Sequence, residues 1–229
     1  MIMQNSLFAP ESSWTVPDVF PQFSETETVA IDLETYDPHL MTCGPGWATG
    51  RGHIVGVGVA TENWFGYFPI RHEGGGNLDE TIVLRWLTNL LNSTKRDVIF
   101  HNALYDVGWL RREGIIVKGK ILDTIVAAPL INENRFSYSL DNLGVAYCDE
   151  KKDESLLQDA ALAFGVNPKS EMYKLHAKYV GPYGQQDAAL TLKLWNKLKL
   201  EIAEQGLDKI LEMESKLIPL LLEMRWRGV

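Results

Sequence analysis

Apolar and polar positions alternate over Val29–Glu34, with Val29, Ile31 and Leu33 on one side and Asp32 and Glu34 on the other. That two-residue repeat predicts a strand. The runs 53–60 (HIVGVGVA) and 64–70 (WFGYFPI) predict two more strands, joined by the short polar turn 61–63. Between the first and second strands, Gly44, Pro45, Gly46, Gly50 and Gly52 predict a loop over 36–52. In 78–92 the spacing becomes helical, with Ile82, Leu84, Trp86, Leu87, Leu90 and Leu91 on the buried side. DVIF (97–100) is a short apolar strand running straight into a helix that Gly114 would cap. ILDTIVAAPL (121–130) starts as a strand or turn and continues as a helix. Five more helical segments follow, at 139–147, 154–165, 170–180, 183–204 and 207–227. Strands early and helices late predict an α/β fold, a mixed sheet flanked by helices, and exclude a bundle or a sandwich. Residues 1–27, with Pro10, Pro17 and Pro21, predict a partly docked arm ahead of it.

Composition narrows the class without choosing a function. With 45% hydrophobic and 23% charged residues in 229, the chain is an ordinary globular one and wholesale disorder is excluded. The net charge of −8 argues against a phosphate-coating protein, because such binding depends on Lys and Arg. The acids are uneven, however: the first fifty residues hold seven and no Lys or Arg, and the rest is close to neutral. Cys43 and Cys148 alone build neither a disulfide framework nor a zinc cluster, which fits a reduced compartment. The start has no signal-peptide pattern and no apolar run approaches a bilayer span, so a cytoplasmic, membrane-free protein is expected.

Candidate chemistry lies in three acidic motifs. Asp32 and Glu34 fall two apart in an apolar strand, so both side chains leave the same face. Two adjacent carboxylates there are costly unless a positive charge lies between them. Spacing alone leaves a solvated edge strand and a metal site as even alternatives. Asn102 and Asp106 are four apart where the next helix opens; a capping network accounts for Asn102 better than for Asp106. In GPYGQQD (181–187), Pro182 suits a helix's first turn and puts Tyr183 and Asp187 on one face. Taken singly, this last motif reads as an ordinary acidic helix start.

In this order and at these separations, the motifs resemble the DEDD exonuclease superfamily in its tyrosine-bearing branch. The chain is most similar to the 3′–5′ proofreading domain of family A DNA polymerases, from about Val29 onward. Asp123-Thr124, the run Ser139–Leu143 and the loop Pro69–His72 with Gly74–Asn77 agree with that likeness. The resemblance implies a ribonuclease H-like sheet and a metal-dependent 3′–5′ exonuclease acting on single-stranded DNA ends. It implies two divalent ions, Mg²⁺ or Mn²⁺, held by Asp32, Glu34, Asp106 and Asp187. Tyr183, with Glu34, would orient the attacking water, and Thr35, Asn102 and Tyr105 would hold the terminal nucleotide. It divides the chain into an arm (1–27), an exonuclease domain (28–205) and a C-terminal helix (206–229). That helix resembles the link to a polymerase domain, whether in a longer parent chain or a separate polypeptide.

Two other readings remain open from sequence: an exoribonuclease of the ribonuclease D type, and a non-catalytic nucleic-acid-binding domain. The basic and aromatic residues Tyr173, Lys174, His176, Lys178 and Tyr179 read as a solvated amphipathic helix. Arg111-Arg112, Lys118, Lys120 and Lys151-Lys152 read as surface charge, and His39, His53 and His72 as structural or surface residues.

Overall fold

The computed structural model describes residues 9–229. Its five strands, β1 (Val29–Tyr36), β2 (His53–Thr61), β3 (Trp64–Pro69), β4 (Asp97–Phe100) and β5 (Lys120–Asp123), form one sheet in the order β3-β2-β1-β4-β5. The hairpin strands β1, β2 and β3 pair antiparallel, whereas β1, β4 and β5 are parallel. This is the mixed, helix-flanked sheet expected, with strands early and helices late.

The period-2 pattern decides what each face packs against. Val29, Ile31, Leu33, Val57, Val59 and Phe68 bury against α3 (Glu80–Leu91) and α4 (Ala103–Arg112). Each such side chain contributes roughly 1.5–3 kcal/mol on leaving water. The opposite face carries the smaller Ala30 and Ala60, packed against α5 (Thr124–Ile131) and the long α8 (Ala177–Glu204). The last helix, α9 (Asp208–Arg227), reaches both cores, Ile218 and Leu222 joining the first and Leu211 the second. Between α5 and α8 come α6 (Leu140–Leu143), a single π turn at Gly144–Cys148 and α7 (Ser155–Phe164). The predicted loop over 36–52 contains two short helical turns, α1 (Leu40–Cys43) and α2 (Gly46–Thr49).

Residues 9–27 of the arm are partly docked, through some of their side chains and carbonyls; residues 1–8 of that expectation lie outside the described residues. Phe20 stacks on Phe68 with ring centroids 5.3 Å apart, and Phe23 packs on Trp64 at 5.7 Å. Arg96 donates to the backbone carbonyls of Ser24 (2.7 Å) and Leu90 (3.1 Å), tying the arm to the end of α3.

One predicted boundary is wrong. Segments 170–180 and 183–204 are not two helices: a 3₁₀ turn at Met172–Lys174 precedes one unbroken helix from Ala177, its first turn capped by the His176 side chain. Pro182 therefore lies inside α8, where it removes the N–H that would reach the carbonyl of Lys178. Ser12 of the arm donates its hydroxyl to that carbonyl at 2.8 Å. A side chain 166 residues away thus replaces the missing helical bond, which local sequence cannot announce.

Candidate active site

The register between β1 and β2 sets Gly58 opposite Asp32 and Gly56 opposite Glu34. Paired residues share a face, so the two acids emerge beside two positions with no side chain. The gap is filled from elsewhere. A Cβ on Gly58 would strike the backbone carbonyl of Gly184 in α8, and one on Gly56 would strike the Tyr67 hydroxyl. Tyr67 also lies against Gly184, and its hydroxyl meets His72 Nε2 at 2.8 Å. Three glycines on two elements, β2 and α8, therefore let α8 approach the acidic face of β1. The register slips between Glu34 and Thr35, a bulge that ends the regular pairing beside the acids.

On α8, that approach delivers the third acid. Asp32, Glu34 and Asp187 each present a carboxylate oxygen, and these oxygens lie within 4.8 Å of one another. Glu34 and Asp187 are buried, and Asp32 keeps some exposure. One oxygen of Asp187, Oδ1, is buried with no hydrogen-bond partner. No donor among the described residues bonds to the Asp32 or Glu34 carboxylate. Burial, then the charge of Asp187, pushes the Asp32 carboxyl up to about 8, with Lys152 pulling the other way. Burial and the facing acids likewise raise Glu34 well above the usual carboxylate range. Such a set of hard, underbonded oxygens fits a divalent cation of the Mg²⁺ or Mn²⁺ kind. Tyr183 stands one turn before Asp187, its phenol raised by burial and by Glu34, Asp187 and Asp32.

Asp106 comes close without joining the three. Its Oδ1 accepts the Leu33 backbone N–H at 3.2 Å, so one oxygen is committed to β1. Burial and the charge of Asp32 raise its carboxyl well above the ordinary range. The capping alternative for Asn102 fails: it precedes α4 in the left-handed conformation (φ 79°) and caps nothing with its side chain. The helix N-terminus is instead met by Asp123, which accepts from the backbone N–H groups of Asn102 (2.9 Å) and Ala103 (2.7 Å). The Asn102 side chain is left exposed. Thr35 and Tyr105 are brought together, their hydroxyls 2.7 Å apart, and Tyr105 also donates to Asp37 Oδ2 at 3.1 Å.

One residue at the site escaped the sequence reading. Lys152, taken as surface charge, has a side chain only 7% exposed and an ammonium 3.0 Å from Asp187 Oδ2. DEKKDE (149–154) looks like any solvated charged run, so spacing held no signal for it. Gly56 and Gly58 did hold one, since a Gly-x-Gly repeat inside an apolar strand marks close approach. Of the basic and aromatic run, Tyr173 and Tyr179 are buried, so it is no solvated helix face.

With this geometry in view, the kinship of the chain is informative. A family model described as 3′–5′ exonuclease matches residues 11–203. The DNA-directed DNA polymerase of Pseudomonas phage M6 is 39% identical over 99% of this chain and 35% of its own length. DNA polymerase I of Borreliella burgdorferi is 24% identical over 93% of this chain and 22% of its own. The chain thus spans about a third or less of the polymerases it matches. Brucella melitensis NrnC shares the fold, with a TM-score of 0.65 at 18% identity over 89% of this chain and 87% of that one. Escherichia coli RNase D does so at 0.56 and 15%, over 89% and 46%. A match across 193 consecutive residues settles the kinship: the chain belongs to the 3′–5′ exonuclease family of DNA polymerase A.

Proposed function

We propose that this chain hydrolyses the terminal phosphodiester bond at the 3′ end of single-stranded DNA, releasing nucleoside 5′-monophosphates, as the proofreading part of a DNA polymerase. The observation that carries this reading is the cluster of Asp32, Glu34 and Asp187, drawn together with two of the three buried and all short of hydrogen-bond donors. In this reading Asp32, Glu34, Asp187 and Asp106 hold two divalent ions, Mg²⁺ or Mn²⁺. Bound ions of this kind activate water at neutral pH and offset the charge on the leaving oxygen. Tyr183 belongs to the tyrosine branch of the superfamily and orients the attacking water through its hydroxyl. A phenol ordinarily titrates at about 10 and so stays protonated at neutral pH, which suits positioning the water and not removing a proton. Water adds to phosphorus as the bond to the penultimate O3′ breaks. Thr35, Asn102 and Tyr105 hold the last nucleotide, two by hydroxyl groups and one by an exposed amide.

Of the arm (1–27), residues 9–27 brace the catalytic unit (28–205), and residues 206–229 lead toward a polymerase domain in a longer parent chain or a separate polypeptide. A bacterial or phage-infected cytoplasm is the setting this reading assumes; no helix among the described residues is long and apolar enough to cross a membrane. A time course on 3′- and 5′-labelled DNA, with matched RNA and with Mg²⁺, Mn²⁺ or EDTA, tests the reading. Shortening from the 3′ end of DNA, only with metal, is expected. RNA degraded in preference to DNA would move the chain to the exoribonucleases, and no shortening with metal would sink the reading.

A further inference from the structure

The ammonium of Lys152 makes more contacts than a counter-ion for Asp187 requires. It lies 3.0 Å from Asp187 Oδ2, 3.2 Å from Asp141 Oδ1 and 3.4 Å from the Tyr183 hydroxyl. It also sits 4.7 Å from the centroid of the Tyr183 ring. The segment carrying it, between the π turn and α7, is fixed to α8 on both sides. Glu150 pairs with Lys193, and the Asp153 backbone N–H donates to Gln186 Oε1 at 3.1 Å. Lys152 is therefore held over one face of α8, where Tyr183 and Asp187 stand one turn apart.

The consequence for Asp187 is specific. Its Oδ2 is committed to Lys152, while Oδ1 is buried and unpartnered. The carboxylate is pinned by one oxygen and offers the other. Tyr183 is pinned at ring and hydroxyl by the same charge, so two side chains of the site share one anchor from another segment.

We propose that Lys152 is a positioning residue for the hydrolysis, acting through Asp187 and Tyr183. It leaves one Asp187 oxygen free for a cation and keeps the Tyr183 hydroxyl where the attacking water must be aligned. The inference rests on the exonuclease reading above.

The test uses the whole chain as wild type, Lys152→Met, Tyr183→Phe and the double variant. Mn²⁺ binding without DNA is followed by electron paramagnetic resonance, and kcat and KM are measured on a 3′-labelled oligonucleotide. Lys152→Met should lower kcat on the order of 100-fold, as misplacement of reacting groups does. KM should stay within about threefold, since no substrate contact is removed. Mn²⁺ should bind as tightly as before or tighter, because a like charge beside its ligand has gone. The double variant should be no slower than the slower single one. Mn²⁺ binding that weakens in step with turnover would make Lys152 merely structural and overturn the proposal. Losses that multiply with Tyr183→Phe would overturn it too, as would unchanged kcat. Should Met not be tolerated, Lys152→Gln is read by the same criteria. A wild type that binds Mn²⁺ without degrading 3′ ends fails the exonuclease reading itself, and this inference falls with it.

Discussion

A single buried acid, Asp123, and the cluster of Asp32, Glu34 and Asp187 have opposite chemistry. Asp123, the last residue of β5, has every oxygen engaged. Oδ1 accepts from the backbone N–H groups of Asn102 and Ile125, both at 2.9 Å, and Oδ2 from that of Ala103. With β4 between them and it, Asp32 and Glu34 of β1 and Asp187 of α8 face one another with a single ammonium among them and one oxygen wholly unpartnered. Asp123 thus ties two helix N-termini to the sheet, whereas the trio repels itself and stays open to a cation. Burial alone does not mark a functional acid; an unmet demand for positive charge does.

That contrast can be broken most forcefully at Asp32. Asp32→Asn should reduce hydrolysis at least on the order of 1,000-fold, because several kcal/mol of charge stabilisation go with the ligand. The same change should raise the melting temperature of the metal-free chain by relieving like-charge repulsion. Steady-state rates and thermal melts in EDTA check both halves. Next comes Asp123→Ala, which strands three backbone N–H groups and should destabilise by about 3 kcal/mol in urea unfolding. Its effect on Mn²⁺ affinity should be small, the reverse of Asp32→Asn. A loss of metal binding without a loss of stability at Asp123 would erase the distinction.

A satisfied histidine sharpens the comparison through pH. His72 is buried between the Tyr67 hydroxyl and the Leu175 carbonyl (3.1 Å from Nδ1), and burial lowers its pKa to about 4. The unfolded chain binds a proton near 6.5 and the folded one resists it, so His72 favours the folded state in full above about 6.5. That contribution, on the order of 3 kcal/mol, is lost as pH falls toward 4. Unfolding free energies at pH 7 and 4.5 should therefore differ less in His72→Gln than in wild type. The smallest effect is expected at Ser12→Ala, which orphans the Lys178 carbonyl below Pro182. It should cost about 1 kcal/mol and raise amide exchange locally around the first turns of α8.

Much of this was legible in the sequence because it is periodic. The strand pattern at Val29–Glu34 placed two acids on one face. The three motifs named Asp32, Glu34 and Asp187 before any geometry, along with Tyr183. What stayed hidden depends on contacts between distant segments. Pro182 read as a helix start because the bond that compensates it comes from Ser12 in the arm. The cap of α4 stayed hidden as well: Asp123, which supplies it, lies 21 residues beyond Asn102. Lys152 read as surface charge, since a lysine in a polar run gives no sign of folding back over α8.

The Asp32–Glu34–Asp187 cluster, as proposed, holds a divalent cation. Titrating Mn²⁺ into the metal-free chain, with Asp187→Asn alongside and melting temperature as the second signal, tests it most directly. Saturable binding that raises the melting temperature of the wild type and is lost in Asp187→Asn is the predicted result. Equal binding and equal stabilisation in the two proteins would mean that the cluster does not hold the ion.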